Sequence, residues 1–326
     1  MSSVLDQNFS LGKESTYGTT VSLVRAFEAQ TDEWKRQQDD IDSVGFRPSM
    51  QAQGSDRVRS VVMGATGSTT WDMLTKGQGY VLQGIFPTVT GPTQQSATIA
   101  YKSTFTTATA SPSVYYTAQM QRVDSSDTMR SFTYPGATIT KANFSHKVGD
   151  NLQLKCDWDA QTEITSVSAG SAATVSSATT WDWTMLAGNI NSAEYCLSDV
   201  SIDFDLGLKT DRRLMCATSA GLKRAPKRAA VPTVTGTLTG EFDALTQYAL
   251  WTAGTIFQID LTWTGATIAS TFKYTFKLTL PACKFTGETP KSSLSDTTMQ
   301  SLPFRALWDG TNPVCTAEYT STDVSL

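Results

Sequence analysis

The sequence is poor in the residues that most enzyme sites require. It contains one histidine, His146, so a hydrolytic triad would have a single candidate base, and no Gly-x-Ser-x-Gly turn supplies a nucleophile. The five cysteines are scattered without a Cys-x-x-Cys spacing, which excludes the common zinc patterns. Residues 77–79 (GQG) lack the third glycine of a dinucleotide fingerprint. We therefore expect no enzymatic activity, no metal and no cofactor, and we interpret His146, between Ser145 and Lys147, as a surface side chain.

Charge and long apolar runs are also scarce. Charged residues make up 17% of the chain and the formal net charge is −4, which argues against conventional DNA binding because affinity for phosphate needs an excess of Lys and Arg. No stretch approaches the roughly 20 apolar residues of a membrane span, and residues 1–10 lack a basic segment followed by an apolar one. We expect a protein made in the cytoplasm that contacts no membrane and keeps its cysteines reduced, with Cys156 and Cys283 buried.

What the sequence does contain is the composition of a β-rich protein. Hydrophobic residues make up 40%, and Thr, Ser and Gly are abundant. Residues 98–101, 151–156, 201–206 and 274–280 alternate apolar and polar side chains with the period of two that half-buried strands show. The best helix candidate is 241–253, with 70–76 as its shorter counterpart. The sequence therefore predicts an all-β fold with short helices.

Two regions of the chain resemble each other. Residues 64–75 (GATGSTTWDMLT) are echoed by 236–246 (GTLTGEFDALT), and each copy is followed by a glycine and an apolar segment, 80–86 or 256–261, which we predict to be strands. A weaker correspondence, in the same order, links 132–158 to 276–309. By comparison with 200–208, we expect a strand at 20–29, with the charged remainder of 27–41 leaving the sheet.

The duplication predicts two modules in tandem. Residues 1–165 would form an N-terminal arm and the first module, and residues 196–326 the second. Residues 166–195 would be a linker or loop, because the stretch SVSAGSAA at 166–173 is too rich in small and polar residues to fold alone.

Two acidic motifs lie in strand-like segments. Asp157 and Asp159, like Asp203 and Asp205, are two residues apart and would project from one face of a strand. Such pairs could ligate a cation or serve as acid and base in glycoside hydrolysis. Solvated strand faces are the favoured reading, and the lining of an acidic channel is a more specific alternative.

One segment concentrates positive charge. It contains Lys209, Arg212, Arg213, Lys223, Arg224, Lys227 and Arg228. Single-strand binders interleave aromatic residues with such charges, and none are present. We therefore expect this segment to contact an acidic surface, for which the chain itself offers Asp32, Glu33, Asp39, Asp40 and Asp42.

A set of short motifs occurs in a fixed order along nearly the whole chain: 11–19 (LGKESTYGT), 25–28 (RAFE), 132–137 (FTYPGA), 148–150 (VGD), 206–212 (LGLKTDR), 285–290 (FTGETP) and 302–310 (LPFRALWDG). In these motifs and their order, the sequence resembles the major tail tube proteins of siphophages, particularly those that infect actinobacteria and their relatives.

The resemblance implies a non-enzymatic virion protein with β-sandwich or split-barrel modules that form a β-lined ring. Rings would stack into a conduit for double-stranded DNA, which passes without specific binding. Partners would be further copies in trimeric or hexameric rings, the tape measure protein, and the tail completion, terminator and tip proteins. Assembly would take place in the host cytoplasm, with the arm 1–22 ordering on the next subunit. We expect Asp157, Asp159, Asp203 and Asp205 to line the lumen, and subunit contacts at Tyr17, Arg25, Glu28, Asp39, Asp40, Lys209, Arg212, Arg213, Arg224 and Arg228.

Two other function classes stay open from the sequence alone. A virion decoration protein or a receptor- or carbohydrate-binding β-protein would present Trp181, Trp183 and Trp263 to sugars. A glycosidase would use carboxylates among Asp157, Asp159, Asp203 and Asp205, in a cleft for which the sequence gives no sign.

Overall fold

The computed structural model describes residues 7–45, 48, 52–108, 114–216, 221–287, 289–293 and 296–326, with 291–293 and 296 described by their backbone alone. Strands dominate, which confirms the predicted all-β class. The strands are β1 Asn8–Glu14, β2 Arg25–Phe27, β3 Ala29–Asp42, β4 Val58–Asp72, β5 Thr88–Gln94, β6 Tyr101–Thr106, β7 Tyr115–Val123, β8 Met129–Lys147, β9 Gln153–Ala160, β10 Leu186–Ile190, β11 Ala193–Glu194, β12 Asp199–Asp205, β13 Leu208–Lys209, β14 Lys227–Arg228, β15 Thr233–Glu241, β16 Phe257–Ala269, β17 Phe272–Phe285, β18 Lys291–Ser293, β19 Asp296–Ala306 and β20 Thr316–Ser321. The helices are α1 Gly79–Ile85 and α2 Thr246–Thr252.

One antiparallel sheet, which we call the main sheet, runs through the whole molecule. Its strand order is β3-β4-β9-β8-β12-β15-β19, with β18 and the end of β17 on the far side of β19. Its strands alternate, so one face is apolar and buried while the other is polar. The buried face carries Trp34, Trp71, Phe144, Leu154, Trp158, Ile202, Leu238 and Leu302.

A second layer covers the apolar face. It consists of β2-β1-β7 continued by the first half of β8, and of β11-β10-β16-β17-β20-β6-β5. Phe9 of β1 meets Trp158 with ring centroids 6.0 Å apart, and Phe276 of β17 meets Phe144 at 5.6 Å. The two layers form a sandwich around one continuous core of buried residues from Phe9 to Tyr319.

The same connectivity occurs twice along the chain. In the first half β1 pairs with β7 and β4 with β9; in the second β10 pairs with β16 and β15 with β19. A helix follows β4 and β15 in each case, and the similar segments 64–75 and 236–246 include the ends of these strands. The order β1-β3-β4-α1-β7-β8-β9 therefore has the counterpart β10-β12-β15-α2-β16-β17-β19.

The structure nevertheless departs from the expected division into residues 1–165, 166–195 and 196–326. Strand β10 lies within the expected linker and pairs with β16, so only the earlier part of 166–195 lacks regular strands. The hairpin β5–β6 comes from the first half of the chain but pairs with β20 of the second. The core is also shared. The two halves thus share one pattern of strand pairing, but they pack around a single core.

Four secondary-structure predictions were wrong. Residues 98–100 lie in the connection between β5 and β6, and of the expected strand at 98–101 only Tyr101 belongs to a strand. Residues 80–86 are mostly helix α1 rather than a strand, because an apolar run buried on every side carries no period that distinguishes the two. Residues 70–76 are the end of β4 and a loop rather than a helix. The charged residues after Ala29 stay in the sheet as β3, because β3 pairs with β4 along its whole length. The first-half counterpart of β12 is therefore β3, not residues 20–29.

The N-terminal arm and His146 also differ from expectation. Residues 8–14 are β1 and pair within their own chain, which buries Phe9 and Leu11; residues 1–6 lie outside the described part. His146 is 4% exposed and not a surface side chain, since Trp263 and the Asp150 carbonyl cover it. The free thiols Cys156 and Cys283 are buried as predicted.

Candidate functional site

The polar face of the main sheet carries rows of side chains that cross from one half of the chain to the other. In an antiparallel sheet directly opposed residues share a face, so Ser68, Asp157, Lys141 and Asp205 form one row. Ser68 Oγ donates to Asp157 Oδ1 at 2.9 Å, and Lys141 Nζ lies 3.1 Å from Asp205 Oδ2. The Asp205 carboxylate raises the pKa of Lys141. Acidic and basic groups therefore alternate along this row.

A neighbouring row is also polar throughout. It runs through Lys155, Asn143, Asp203 and Thr235. Asn143 Nδ2 donates to Asp203 Oδ1 at 2.8 Å and to Ser201 Oγ at 2.9 Å, so this amide links β8 to β12. The surface is polar and carries interleaved charges of both signs rather than a single-sign patch.

Asp157, Asp203 and Asp205 lie on this polar face, whereas Asp159 differs. Its side chain points to the same side of β9 but is only 4% exposed, because Lys223 covers it with an Nζ–Oδ1 distance of 2.5 Å. Burial raises the pKa of Asp159 and the Lys223 ammonium opposes that rise. Asp159 therefore anchors another segment of the chain. Because it is buried, we no longer expect it to line a lumen.

That segment is the connection between β12 and β15, residues 206–232, of which the structure describes 206–216 and 221–232; we call it the basic segment. It folds back over one end of the polar face. Gln161 Nε2 donates to the Lys223 carbonyl at 2.9 Å, and Arg213 donates to the Met63 carbonyl. Arg212 donates to Ala225 O at 2.5 Å and Arg228 to Leu206 O at 3.2 Å.

Of the arginines expected at subunit contacts, Arg213 and Arg228 hold the basic segment to the rest of its own chain, through the carbonyls of Met63 and Ala108, whereas Arg212 bonds within the segment. Lys209 and Arg224 remain exposed there. No pairing pattern in the sequence could have identified Asp159 as the acceptor of Lys223, since the two residues are 64 positions apart.

A hairpin formed by β3 and β4 projects past the end of β9. The pairing of β4 with β9 stops at Ala65, but β3 and β4 continue to pair as far as Asp42 and Val58. This projecting hairpin, residues 36–64, is largely exposed in its described part and carries Asp39 and Asp40. The projecting hairpin contains the connection from β3 to β4, and the basic segment is the equivalent connection from β12 to β15 in the second half.

The remaining residues expected at subunit contacts lie elsewhere. Tyr17 is half-buried against Tyr115, with ring centroids 5.1 Å apart, and Arg25 lies beside Ala173 in an isolated bridge. Both support the turn between β1 and β3 within the chain. Glu28 is exposed between β2 and β3.

The geometry gives little support to the other function classes. Asp157 and Asp205 flank Lys141 on an open sheet, whereas glycoside hydrolysis needs two carboxylates across a cleft. No group of three or more His, Cys, Asp or Glu suited to a metal occurs among the described residues. Trp181 and Trp263 are fully buried, so neither can present a sugar-binding platform. Within the described ranges, no helix is long and apolar enough to cross a membrane.

Comparison with known families is consistent with this all-β fold. The family model for phage tail tube protein matches residues 5–306. No curated protein matches the chain. With the match covering nearly the whole sequence, the chain belongs to the phage tail tube proteins, a family of structural subunits of the virion tail and not of enzymes.

Proposed function

We propose that three copies of this chain close one ring of a siphophage tail tube and that such rings stack along the tail. The observation that carries the proposal is the recurring connectivity, in which two modules already stand edge to edge through the pairing of β8 with β12. Each chain would bring two of the six modules that surround the channel. A closed ring removes the exposed strand edges that a single sheet leaves.

The size of the resulting channel supports this arrangement. Each module contributes four strands to the main sheet: β3, β4, β9 and β8 in the first, and β12, β15, β19 and β17–β18 in the second. Six modules give about 24 strands, which at roughly 4.8 Å spacing and roughly 40° tilt form a wall about 150 Å around and about 48 Å across. A channel of this width admits a DNA duplex after side chains are allowed for.

The polar face would line that channel, with Asp157, Asp203 and Asp205 toward the water. Each phosphate that Lys or Arg neutralises adds affinity and would slow the passage of DNA. Lys141 is paired with Asp205 and Lys147 with Asp150, at 3.1 and 3.2 Å. The pairing of these two lysines would weaken their attraction for phosphate and would favour passage of DNA without specific binding.

Other contacts follow from the two ends of the sheet. The exposed Lys209 and Arg224 of the basic segment and the acidic Asp39 and Asp40 of the projecting hairpin have opposite charges and suit contacts between subunits. The tape measure protein would occupy the channel before DNA, and completion, terminator and tip proteins would meet the ends of the tube. Assembly would take place in the host cytoplasm.

The test is to count the chains in a ring. Native mass spectrometry of rings and image reconstruction without imposed symmetry should both give three chains. Six chains per ring would contradict the two-module arrangement, and a protein that stays monomeric at high concentration would contradict the tube itself. An Asp203→Lys, Asp205→Lys variant should still assemble but retain DNA in a salt-dependent way, whereas a Glu194→Lys variant, which changes an exposed carboxylate on β11 of the second layer, should assemble and not retain DNA.

A further inference from the structure

The main sheet ends in two strand edges that lack a partner in the described part of the chain. At one end β3 pairs with β4 alone, although Arg122 also donates to the Asp32 carbonyl at 3.2 Å. At the other end β18 pairs with β19 alone. Open edges of this kind are sites where another chain can add a strand.

The joint between β8 and β12 shows how two modules of this fold meet. It is antiparallel and runs from Asp199 opposite Lys147 to Asp205 opposite Lys141. Side chains reinforce it on the polar face, where Asn143 bonds Asp203 and Lys141 pairs with Asp205. Both strands of this joint have counterparts at the open ends of the sheet.

The counterparts follow from pairing. Strand β12 lies beside β15 as β3 lies beside β4. Strand β8 pairs first with β7 and then with β9; β17 pairs with β16 and then, from Cys283, with β19, and β18 extends that second pairing. The edge formed by the end of β17 and β18 is therefore equivalent to the edge of β8 that receives β12.

We infer that β3 of one chain pairs antiparallel with the β17–β18 edge of a second copy, in the register of the β8–β12 joint. The inference deepens the proposed ring and rests on it. Aligning WDMLT at 71–75 with FDALT at 242–246 makes Gly64 equivalent to Thr235. Gln37 lies opposite Gly64, and Asp203 lies opposite Thr235. Gln37 of β3 is therefore equivalent to Asp203 of β12.

The same alignment places the other strand. In this alignment Thr70 corresponds to Glu241. Lys155 lies opposite Thr70, and Met299 lies opposite Glu241. Met299 therefore corresponds to Lys155. Lys291, opposite Met299, thus takes the place of Asn143, opposite Lys155. Because Asn143 faces Asp203 within the chain, Lys291 faces Gln37 of the neighbouring copy.

The two edges are built for a matched partner. Charged residues such as Glu33, Lys35 and Arg36 occupy β3, and Pro290 precedes β18, where it removes one backbone donor. Charges and proline are common means by which edge strands avoid indiscriminate pairing. Because β3 is equivalent to β12, the β8–β12 joint indicates that the partner of the β17–β18 edge is β3 of a second copy.

Disulfide trapping tests the register. In a background with Cys196→Ser and Cys216→Ser, the variant Gln37→Cys, Lys291→Cys is oxidised after assembly and run on a denaturing gel without reductant. We expect covalent dimers and trimers, with three chains as the limit. Either single substitution should give no such ladder. Gln37→Cys with Ser301→Cys should not either, because Ser301 is on β19, one strand inside the edge. Asn143→Cys with Asp203→Cys should form the equivalent bond within one chain.

The outcomes separate this inference from the proposed function. Rings of three that do not cross-link through positions 37 and 291 would overturn the predicted register while leaving the ring intact. A ladder that extends to six chains would support the pairing of β3 with β18 but overturn the three-chain ring. Cross-linking by the Ser301 control at equal yield would show that contact is unspecific and overturn the register.

Discussion

His146 shows how a single side chain can be fixed by its surroundings. Trp263 Nε1 donates to His146 Nδ1 at 2.9 Å, and the indole N–H can only donate, so the imidazole proton must be on Nε2. That nitrogen donates to the Asp150 carbonyl at 3.2 Å. The ring is neutral, and burial holds the pKa of His146 below its ordinary value of 6.5, against the pull of the carboxylates of Asp150, Asp182 and Asp199.

This arrangement predicts a loss of stability in mild acid. Since the pKa of His146 is lower in the folded chain than in the unfolded one, its contribution is complete above pH 6.5 and is lost as the pH falls through the folded value. Urea unfolding between about pH 7.5 and about pH 5 should show a steeper loss for the wild type than for His146→Gln. Parallel curves for the two proteins would show that His146 does not titrate in this range.

The sequence context of His146 predicted the opposite placement, and the reason is physical. Its neighbours Ser145 and Lys147 are polar because β8 alternates at this point, and His146 takes the inward position of that alternation. The partner that covers it, Trp263, is 117 residues away. Because no strand was predicted at 145–147, the alternation of β8 could not be used to assign His146 to the buried side.

Gly67 is required by the packing of Trp34. A Cβ atom at Gly67 would overlap the indole ring, which stacks on Tyr134 at a centroid distance of 4.6 Å. We expect Gly67→Ala to lower the free energy of unfolding by about 1–3 kcal/mol, because the indole must leave its position on β3. Gly45→Ala is the control, since nothing lies within 4 Å of its added Cβ. Equal stability of the two variants in denaturant titrations would contradict this account.

At the scale of elements, a buried ion pair anchors the basic segment, beside the hydrogen bonds that Gln161 and Arg213 make. The side chains of Lys223 and Asp159 are 4% and 5% exposed, and Asp159 Oδ2 has no further hydrogen-bond partner among the described residues. Removing one member of such a pair leaves an uncompensated charge, at a cost of about 3–5 kcal/mol. Opening of the basic segment relieves that cost without unfolding the sandwich.

Trypsin can measure this opening. Lys223→Ala should raise the rate of cleavage after Arg212, Arg213 and Arg224 by tenfold or more, because about 1.4 kcal/mol of local stability changes the open population tenfold. Lys227→Ala, which removes an exposed lysine of the same segment, should leave the rate unchanged. If both variants are cleaved alike, the ion pair does not hold the segment.

Elements differ in how well the sequence predicts them. The alternating stretches 151–156, 201–206 and 274–280 lie largely in β9, β12 and β17, because each has one face in the core and one in water. Strand β3 lacks that signal, since most of its side chains are exposed and only pairing with β4 defines it. On the polar face, alternation alone predicts the exposure of Asp157, Asp203 and Asp205. It does not predict the burial of Asp159, which results from its contact with the distant Lys223.

At the scale of the whole molecule, the shared core predicts one cooperative unit. Cys156 lies in the first module, while Cys283 and Cys315 lie in the second, and all three are fully buried. Burial raises the pKa of each thiol, that of Cys283 to about 12, so none is reactive while folded. In low denaturant we expect all three to be labelled at one rate, and exposed Cys196 much faster.

The control for this measurement is Cys196→Ser, which should remove the fast phase and leave the slow one unchanged. Labelling of Cys156 at its own rate would show that the first module opens separately and that the two modules behave as independent domains.

The pairing of β6 with β20 also fixes the order of events during translation. Residues of β6 leave the ribosome long before β20 is made, yet apart from β5 their described strand partner is β20. A nascent chain can assemble much of its first module early, as large proteins commonly do. The second layer, which contains β6, stays incomplete until β20 has emerged. A product of interrupted translation that ends before residue 316 would leave this edge of β6 without its partner, and we expect it to be an incomplete subunit.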